Sequence, residues 1–245
     1  MHRHFVTPEQ LRQSRLSLGR TDARHLQTVL RIQAGTEIEL FDGVGRVVRC
    51  QITECNRNGL TLEHIAPPVD IPPLPCRIIL CPCVSKNRRM DWTLEKAVEL
   101  GAGRIIPILS ARSIMQLDTP SEAAEKRERW RRIAAESARQ CGAAWLPEID
   151  LPRPFDQVLP LLAAIKPLFV AALAPDARPL RQALASFSTP PREAAWLVGP
   201  EGDLTEAELQ ALRDVGGALV SLGSHVLRTE TAAIYGLAVL GAAWL

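Results

Sequence analysis

The sequence predicts an α/β protein in two parts, a small antiparallel β-barrel followed by a mostly parallel sheet covered by helices. Three observations carry that expectation. The segment PPVDIPPLP, Pro67 to Pro75, holds five prolines in nine residues. Prolines at that density favour an extended connector without ladder hydrogen bonds. Before it, apolar and polar residues alternate with the period of a half-buried strand. After it, apolar runs alternate with helical patterns, as parallel βαβ units require. The domains are therefore expected at 1–70 and 71–245.

In the first part a helical stretch, Asp22 to Ile32, precedes the runs TEIELF (Thr36 to Phe41), RVVRCQITEC (Arg46 to Cys55) and LTLEHI (Leu60 to Ile65). Asp42-Gly43 and Asn58-Gly59 are turn signals between them. In the second part RIILCPCV, Arg77 to Val84, reads as a buried strand. The helix after it places Met90, Leu94, Ala97 and Val98 on one face and ends at Gly101. RIIPIL, Arg104 to Leu109, is the next strand. A long helix opens near Thr119 with the capping box T-P-S-E. Later strands are expected at Pro167 to Ala174, Ala194 to Gly199 and Ala218 to Gly223, with a helix capped by Thr205 and Glu208 between the last two. From Thr231 to Leu245 there is no charged residue, so the closing helix reads as buried on all sides.

Composition bounds the function. Of 245 residues 47% are apolar and 23% charged, ordinary for a globular chain with a sizeable core. A net charge of +2 neither demands nor excludes nucleic acid. The N-terminus MHRHFVTPEQ has no secretory h-region. The uncharged C-terminal run is shorter than the ~20 residues of a membrane span. The expected location is cytosolic, with no membrane. Six cysteines include one unmatched CxC, Cys81 and Cys83, which reads as reduced, buried thiols rather than a zinc site. No HxH or HExxH spacing recruits a metal, and neither GxxxxGK[ST] nor GxGxxG occurs.

Ligands of such sheets bind at the carboxyl ends of strands. Two glycine-bearing loops follow strands there: VGPEGD, Val198 to Asp203, and LGSHVLRTET, Leu222 to Thr231. A plain strand-to-helix turn accounts for the first by composition alone. Helix capping accounts for Thr229, Thr231 and Glu230 in the second. It does not account for Arg228, whose charge opposes the positive end of the helix dipole. An arginine there fits a carboxylate, a phosphate or a base edge. A basic loop, Lys86, Arg88 and Arg89, also follows a strand. In the long helix, Glu122–Lys126, Glu125–Arg129 and Glu128–Arg132 are spaced as i,i+4 pairs. Arg127, Arg131 and Arg139 lack such a partner and remain candidates for RNA contact.

GPEGDLTEAEL followed by LGSHVLRTETA resembles the C-terminal signature of the SPOUT-class methyltransferases, and more closely the ribosomal RNA small subunit methyltransferase E family. KNRRMDWTLEKAVELG, ESARQCGAAWLPEI and the N-terminal RHF, HLQTVLR and LFDG extend that resemblance along nearly the whole chain. The chain departs from the family pattern in carrying Asp203 where a second glycine is usual, Ala143 where an arginine is usual, and Ser224-His225 where Pro-Arg is frequent.

The resemblance implies a PUA-like RNA-binding barrel, a SPOUT-type parallel sheet with a deep C-terminal trefoil knot, and a homodimer. It implies S-adenosyl-L-methionine as cofactor and methylation of N3 of a uridine in 16S rRNA of the small ribosomal subunit. Alternatives are a SPOUT enzyme acting on a ribose 2′-hydroxyl or on tRNA, and a non-catalytic RNA-binding dimer. The implied cofactor site comprises Leu173, Gly199, Pro200, Glu201, Gly202, Leu222, Gly223, Val226, Leu227 and Arg228. Arg228 is expected as the electrostatic partner of the reacting uracil, and Glu230 or Glu201 as the proton acceptor. Arg3, His25, Arg31, Lys86, Arg88 and Arg89 are expected on the RNA backbone.

Overall fold

In a computed structural model the chain forms two compact units, Met1–Pro73 with Ala138–Leu146, and Leu74–Ser137 with Pro147–Leu245. The structure describes residues 2–20, 23, 26, 32–56, 58–113 and 119–245. The helix expected over Asp22 to Ile32 falls mostly outside them; Ala23 and Leu26 are helical and buried. The first unit takes in Ala138–Leu146, which a division at 70/71 does not contain.

The first unit is built on β1 (His2–Phe5), α1 (Pro8–Leu11), β2 (Arg15–Gly19), β3 (Glu37–Phe41), β4 (Arg46–Asn56), β5 (Gly59–His64) and β6 (Val69–Asp70). Its sheet runs β1-β3-β4-β5-β2, with β6 on β4. β3, β4 and β5 pair antiparallel, as their alternation predicts. Along β4, Val48, Cys50 and Ile52 are buried while Arg49, Gln51 and Thr53 face water. Leu16, Leu18, Ile38, Leu40, Leu60 and Leu62 join them in that core. The proline-rich connector departs from expectation. Val69–Asp70 pairs with Arg46 and Val47, and the Ile71 amide donates to the Gly45 carbonyl at 2.7 Å. The residues between the prolines keep their N–H groups, and Arg46 holds Asp70 at 2.8 Å.

The second unit comprises β7 (Arg77–Pro82), α2 (Asn87–Glu99), β8 (Arg104–Ile105), β9 (Ile108–Leu109), α3 (Pro120–Cys141, whose last residues belong to the first unit), β10 (Glu148–Ile149), β11 (Arg153–Pro154), α4 (Phe155–Ala164), β12 (Leu168–Ala171), β13 (Arg178–Pro179), α5 (Leu180–Leu184), β14 (Glu193–Val198), α6 (Glu206–Asp214), β15 (Gly217–Ser221) and α7 (Thr229–Trp244). Seven strands form a parallel sheet in the order β10-β8-β7-β14-β12-β15-β13. Pro107 divides RIIPIL: β8 joins this sheet, while β9 pairs with β11. Both capping boxes form. Thr119 accepts from the Glu122 amide at 3.2 Å, and Thr205 from the Glu208 amide at 3.2 Å.

Two expectations are corrected here. α7 is not buried all round: Ala232, Ala233, Gly236, Leu237, Leu240 and Trp244 face the core, while Thr231, Tyr235, Ala238, Ala242 and Ala243 are exposed. Absence of charge identified an apolar helix, not which faces this chain covers. The arginines of α3 are also not left over. Glu128 holds Arg131 at 3.1 Å and Arg127 at 3.7 Å, and Arg129 reaches Asp91 of α2. Cys50, Cys76, Cys81 and Cys83 are buried, and burial pushes the Cys83 thiol up to about 12. No group of metal-ligating side chains occurs among the described residues. No described helix is long and apolar enough to cross a membrane.

Candidate active site

β14, β12 and β15 lie side by side with their carboxyl ends together. Peptide carbonyls and amides at such ends face no further strand, so the loops leaving them shape a cavity. That cavity holds about 380 Å³. Its walls come from Ala171 to Leu173 after β12, Val198 to Glu201 with Asp203 after β14, and Val220 to Gly223 with His225 to Thr229 after β15. Nine of the ten expected cofactor residues line it: Leu173, Gly199, Pro200, Glu201, Leu222, Gly223, Val226, Leu227 and Arg228. Gly202 does not; its carbonyl accepts from Arg112 Nη1 at 2.9 Å on the outer side of the loop. Leu173 and Val226 are apolar yet 65% and 75% exposed at this pocket, a surface suited to a flat apolar ligand.

The backbone of both loops is adapted to the site. Asp203 sits in the left-handed region at φ 59°, which aspartate tolerates better than most residues. Its Oδ1 accepts the Leu204 amide at 2.8 Å, so the carboxylate that replaces the usual glycine also holds the turn. Among the described residues, the amides of Gly223 to Leu227 donate to no backbone carbonyl. They are available to a ligand's edge.

Arg228 is the extended N-cap residue of α7 and makes no capping bond. Thr229 and Thr231 therefore do not cap the helix. The Thr229 hydroxyl instead bonds Glu230 Oε2 at 3.1 Å. Arg228 is exposed and has no ion pair among the described residues, which leaves its charge free for a ligand.

The basic residues divide. Arg89 lines the pocket while keeping 41% of its side chain exposed: its Nη1 donates to Glu201 Oε1 at 2.8 Å, and its Nε lies 3.9 Å from Glu230 Oε1. The signal for this was not local, because Glu201 lies 112 residues away. Lys86 and Arg88 remain exposed at the start of α2 and make no ion pair among the described residues. Arg3, expected on RNA, is committed within the first unit. It pairs with Glu39 at 2.6 Å, donates to the carbonyls of Ala138 and Ala143, and lies 4.7 Å from the Phe41 ring centroid. Only 12% of its side chain is exposed, so removing it would leave two carbonyls and a carboxylate unpaired. His25 and Arg31 lie outside the described residues. Sequence reading missed Asp203 and Thr229 as lining residues, although both stand inside the two loops it singled out.

Comparison with known proteins defines the class. An RNA methyltransferase domain matches residues 72–241, and an RNA methyltransferase PUA domain matches residues 18–63. A parallel sheet with a pocket at its strand ends, carrying that domain match over most of the chain, is an RNA methyltransferase. The Ribosomal RNA small subunit methyltransferase E of Synechocystis is 30% identical over 98% of this chain and 77% of its own length. That of Bacillus subtilis is 29% identical over 98% of this chain and 96% of its own. The crystal structure of a Ribosomal RNA small subunit methyltransferase E from Neisseria gonorrhoeae, bound to S-adenosyl methionine, aligns with a TM-score of 0.86 at 28% identity, covering 100% of this chain and 98% of that one. The chain belongs to the ribosomal RNA small subunit methyltransferase E family.

Proposed function

We propose that this chain methylates N3 of a uridine in 16S rRNA of the small ribosomal subunit, with S-adenosyl-L-methionine as methyl donor. The observation that carries the reading is the pocket at the ends of β12, β14 and β15, which suits that donor. The exposed Leu173 and Val226 offer apolar surface for an adenine, and the amides of Gly223 to Leu227 offer donors to its edge and to a ribose. Carboxylates of Glu201 and Asp203 suit a cationic ligand. When bound, the donor supplies an electrophilic methyl group.

The protein's own residues do the rest. N3 lies on the Watson–Crick edge, so the uridine must be unpaired or flipped to reach the pocket. Arg228, with no partner among the described residues, faces negative charge developing on the uracil. Lys86 and Arg88 hold RNA phosphates near α2, and the PUA-like first unit supplies further RNA contact. The reading includes a cytoplasmic homodimer joined through the exposed face of α7. It also includes the deep trefoil knot. That knot is supported by a chain that leaves β15, beyond β12, and returns in α7 to pack against β7 and β14.

The test is mass spectrometry of 16S rRNA nucleosides from a strain lacking the gene. Loss of 3-methyluridine, restored by this chain, is the expected result. Loss of a 2′-O-methylated nucleoside or of a tRNA modification instead would defeat the reading.

A further inference from the structure

Uracil N3 carries a proton, and methylation requires that it leave. Three carboxylates stand near the pocket. Asp203 spends its Oδ1 on the Leu204 amide at 2.8 Å, holding the turn, and the other two differ in position. Glu201 lines the main cavity, with 22% of its side chain exposed. Glu230 stands behind the wall formed by Gly199 and Thr229, beside a cell of about 10 Å³ that Ser85 and Thr93 also border. Only 12% of its side chain is exposed, and its Oε2 takes the Thr229 hydroxyl. One guanidinium spans the two. Arg89 donates to Glu201 at 2.8 Å and lies 3.9 Å from Glu230.

We infer, resting on the uridine-N3 reading, that Glu201 is the catalytic residue that accepts the N3 proton. Arg89, braced on Glu230, is the positioning residue that holds it. Three elements converge to do this: α2 brings Arg89, the loop after β14 brings Glu201, and the first turn of α7 brings Glu230. Arginine suits the task because its donors form a planar fork of fixed direction. A carboxylate on a solvent-facing loop otherwise swings through several rotamers, and two carboxylates near one another repel. The bond to Arg89 uses Oε1 of Glu201, and Oε2 accepts no hydrogen bond among the described residues. That oxygen keeps its lone pairs for a proton. Arg228 stabilises the uracil anion that deprotonation creates.

The step balances. The N–H bond breaks and its electron pair stays on N3. That pair forms the bond to the methyl carbon as the carbon–sulfur bond breaks, its electrons remaining on the formerly cationic sulfur. The proton rests on the Glu201 carboxylate and passes to solvent.

The experiment uses the full chain, S-adenosylmethionine, and small ribosomal subunits lacking the modification. Single-turnover rates are measured from mildly acid to mildly alkaline pH, with cofactor and RNA affinities measured separately. Glu201→Gln is expected to lower the neutral-pH rate by about 100-fold at saturating S-adenosylmethionine. Its rate should then climb by about tenfold per pH unit, because hydroxide must now take the proton, whereas the wild-type profile stays shallower. Arg89→Ala should lower the rate by about tenfold with both affinities retained. Arg89→Lys, which keeps the charge but not the fork, should recover only part of that loss, and Glu230→Gln should follow Arg89→Ala in direction. A wild-type rate or a wild-type pH profile in Glu201→Gln would overturn the assignment. Loss of RNA affinity at unchanged rate in Arg89→Ala would return Arg89 to the RNA footprint. A wild-type chain that forms no 3-methyluridine fails the parent reading, and is told apart because the variants are then beside the point.

Discussion

Arg228 occupies a position that a helix disfavours. A cation at the N-terminus of a helix costs up to about 1 kcal/mol against the dipole, and no ion pair among the described residues offsets it. Arg228→Ala is therefore expected to leave the fold intact and the thermal midpoint no lower. It should nonetheless cost about 100-fold in methylation rate, the usual scale for one electrostatic stabiliser of a developing anion. Circular dichroism and single-turnover kinetics on one preparation check both halves; wild-type turnover would remove Arg228 from the mechanism. His64 presents a different residue-scale test. Its Nε2 is buried without a partner, and desolvation lowers its pKa. A base whose folded pKa is depressed folds best when neutral. Below about pH 6.5 the unfolded chain binds the proton first, so stability falls from there until pH reaches the folded value, and then levels off. Urea denaturation of wild type and His64→Phe at pH 7, 6 and 5 should show the wild type losing more stability on acidification. Parallel curves would mean that His64 is not the sensor.

At the scale of elements, α7 packs on β14 through a glycine. A Cβ built on Gly236 would stand 2.0 Å from Trp196 Cε2, and Trp196 is fully buried. The fully buried ring cannot swing aside without displacing its neighbours, so Gly236→Ala should destabilise by about 3 kcal/mol. That corresponds to a fall of about 6–12 °C in Tm, readable by calorimetry, and an unchanged Tm would show that the helix shifts freely. This contact also marks what the sequence could and could not reveal. The capping boxes at Thr119 and Thr205 were legible because their partners sit three residues away, and β3 to β5 because alternation and turns are local. The two loops of the pocket were legible because strand, glycine and helix follow one another. The parallel pairing of β1 with β3 was not, nor was β6 on β4, since each depends on which edge a distant strand leaves open. The protein partners of Arg3 and Arg89 were not legible for the same reason. Each is a surface-type residue whose partners, Ala138 and Glu201, come from remote parts of the chain. An arginine's tertiary partners cannot be read from its neighbours in sequence.

For the whole molecule, the unanswered element is the outer face of α7. Thr231, Tyr235, Ala238 and Ala242 recur at helical spacing and are all exposed, with Leu245 beyond them. Trp92, on the α2 helix that packs against α7, is 43% exposed. Single exposed apolar residues are ordinary, but a row of them on a helix with no charge after Glu230 is not. Small residues there let a second helix approach closely, as the proposed homodimer requires. A stable dimer buries about 800 Å² on each partner, and a glutamate at the centre of such a face is desolvated without a counter-charge. Ala238→Glu should therefore shift the chain from a dimer to a single copy of 26.9 kDa in light scattering. Ala163→Glu, on the exposed side of α4, should leave it dimeric. This chain's own loops after β12, β14 and β15 line the pocket, so the separated Ala238→Glu protein should still bind S-adenosylmethionine with an affinity within about tenfold of wild type. A monomer that binds no cofactor, while keeping its helical signal, would mean that the partner's α7 completes the site. An Ala238→Glu protein that remains dimeric would place the interface on another face.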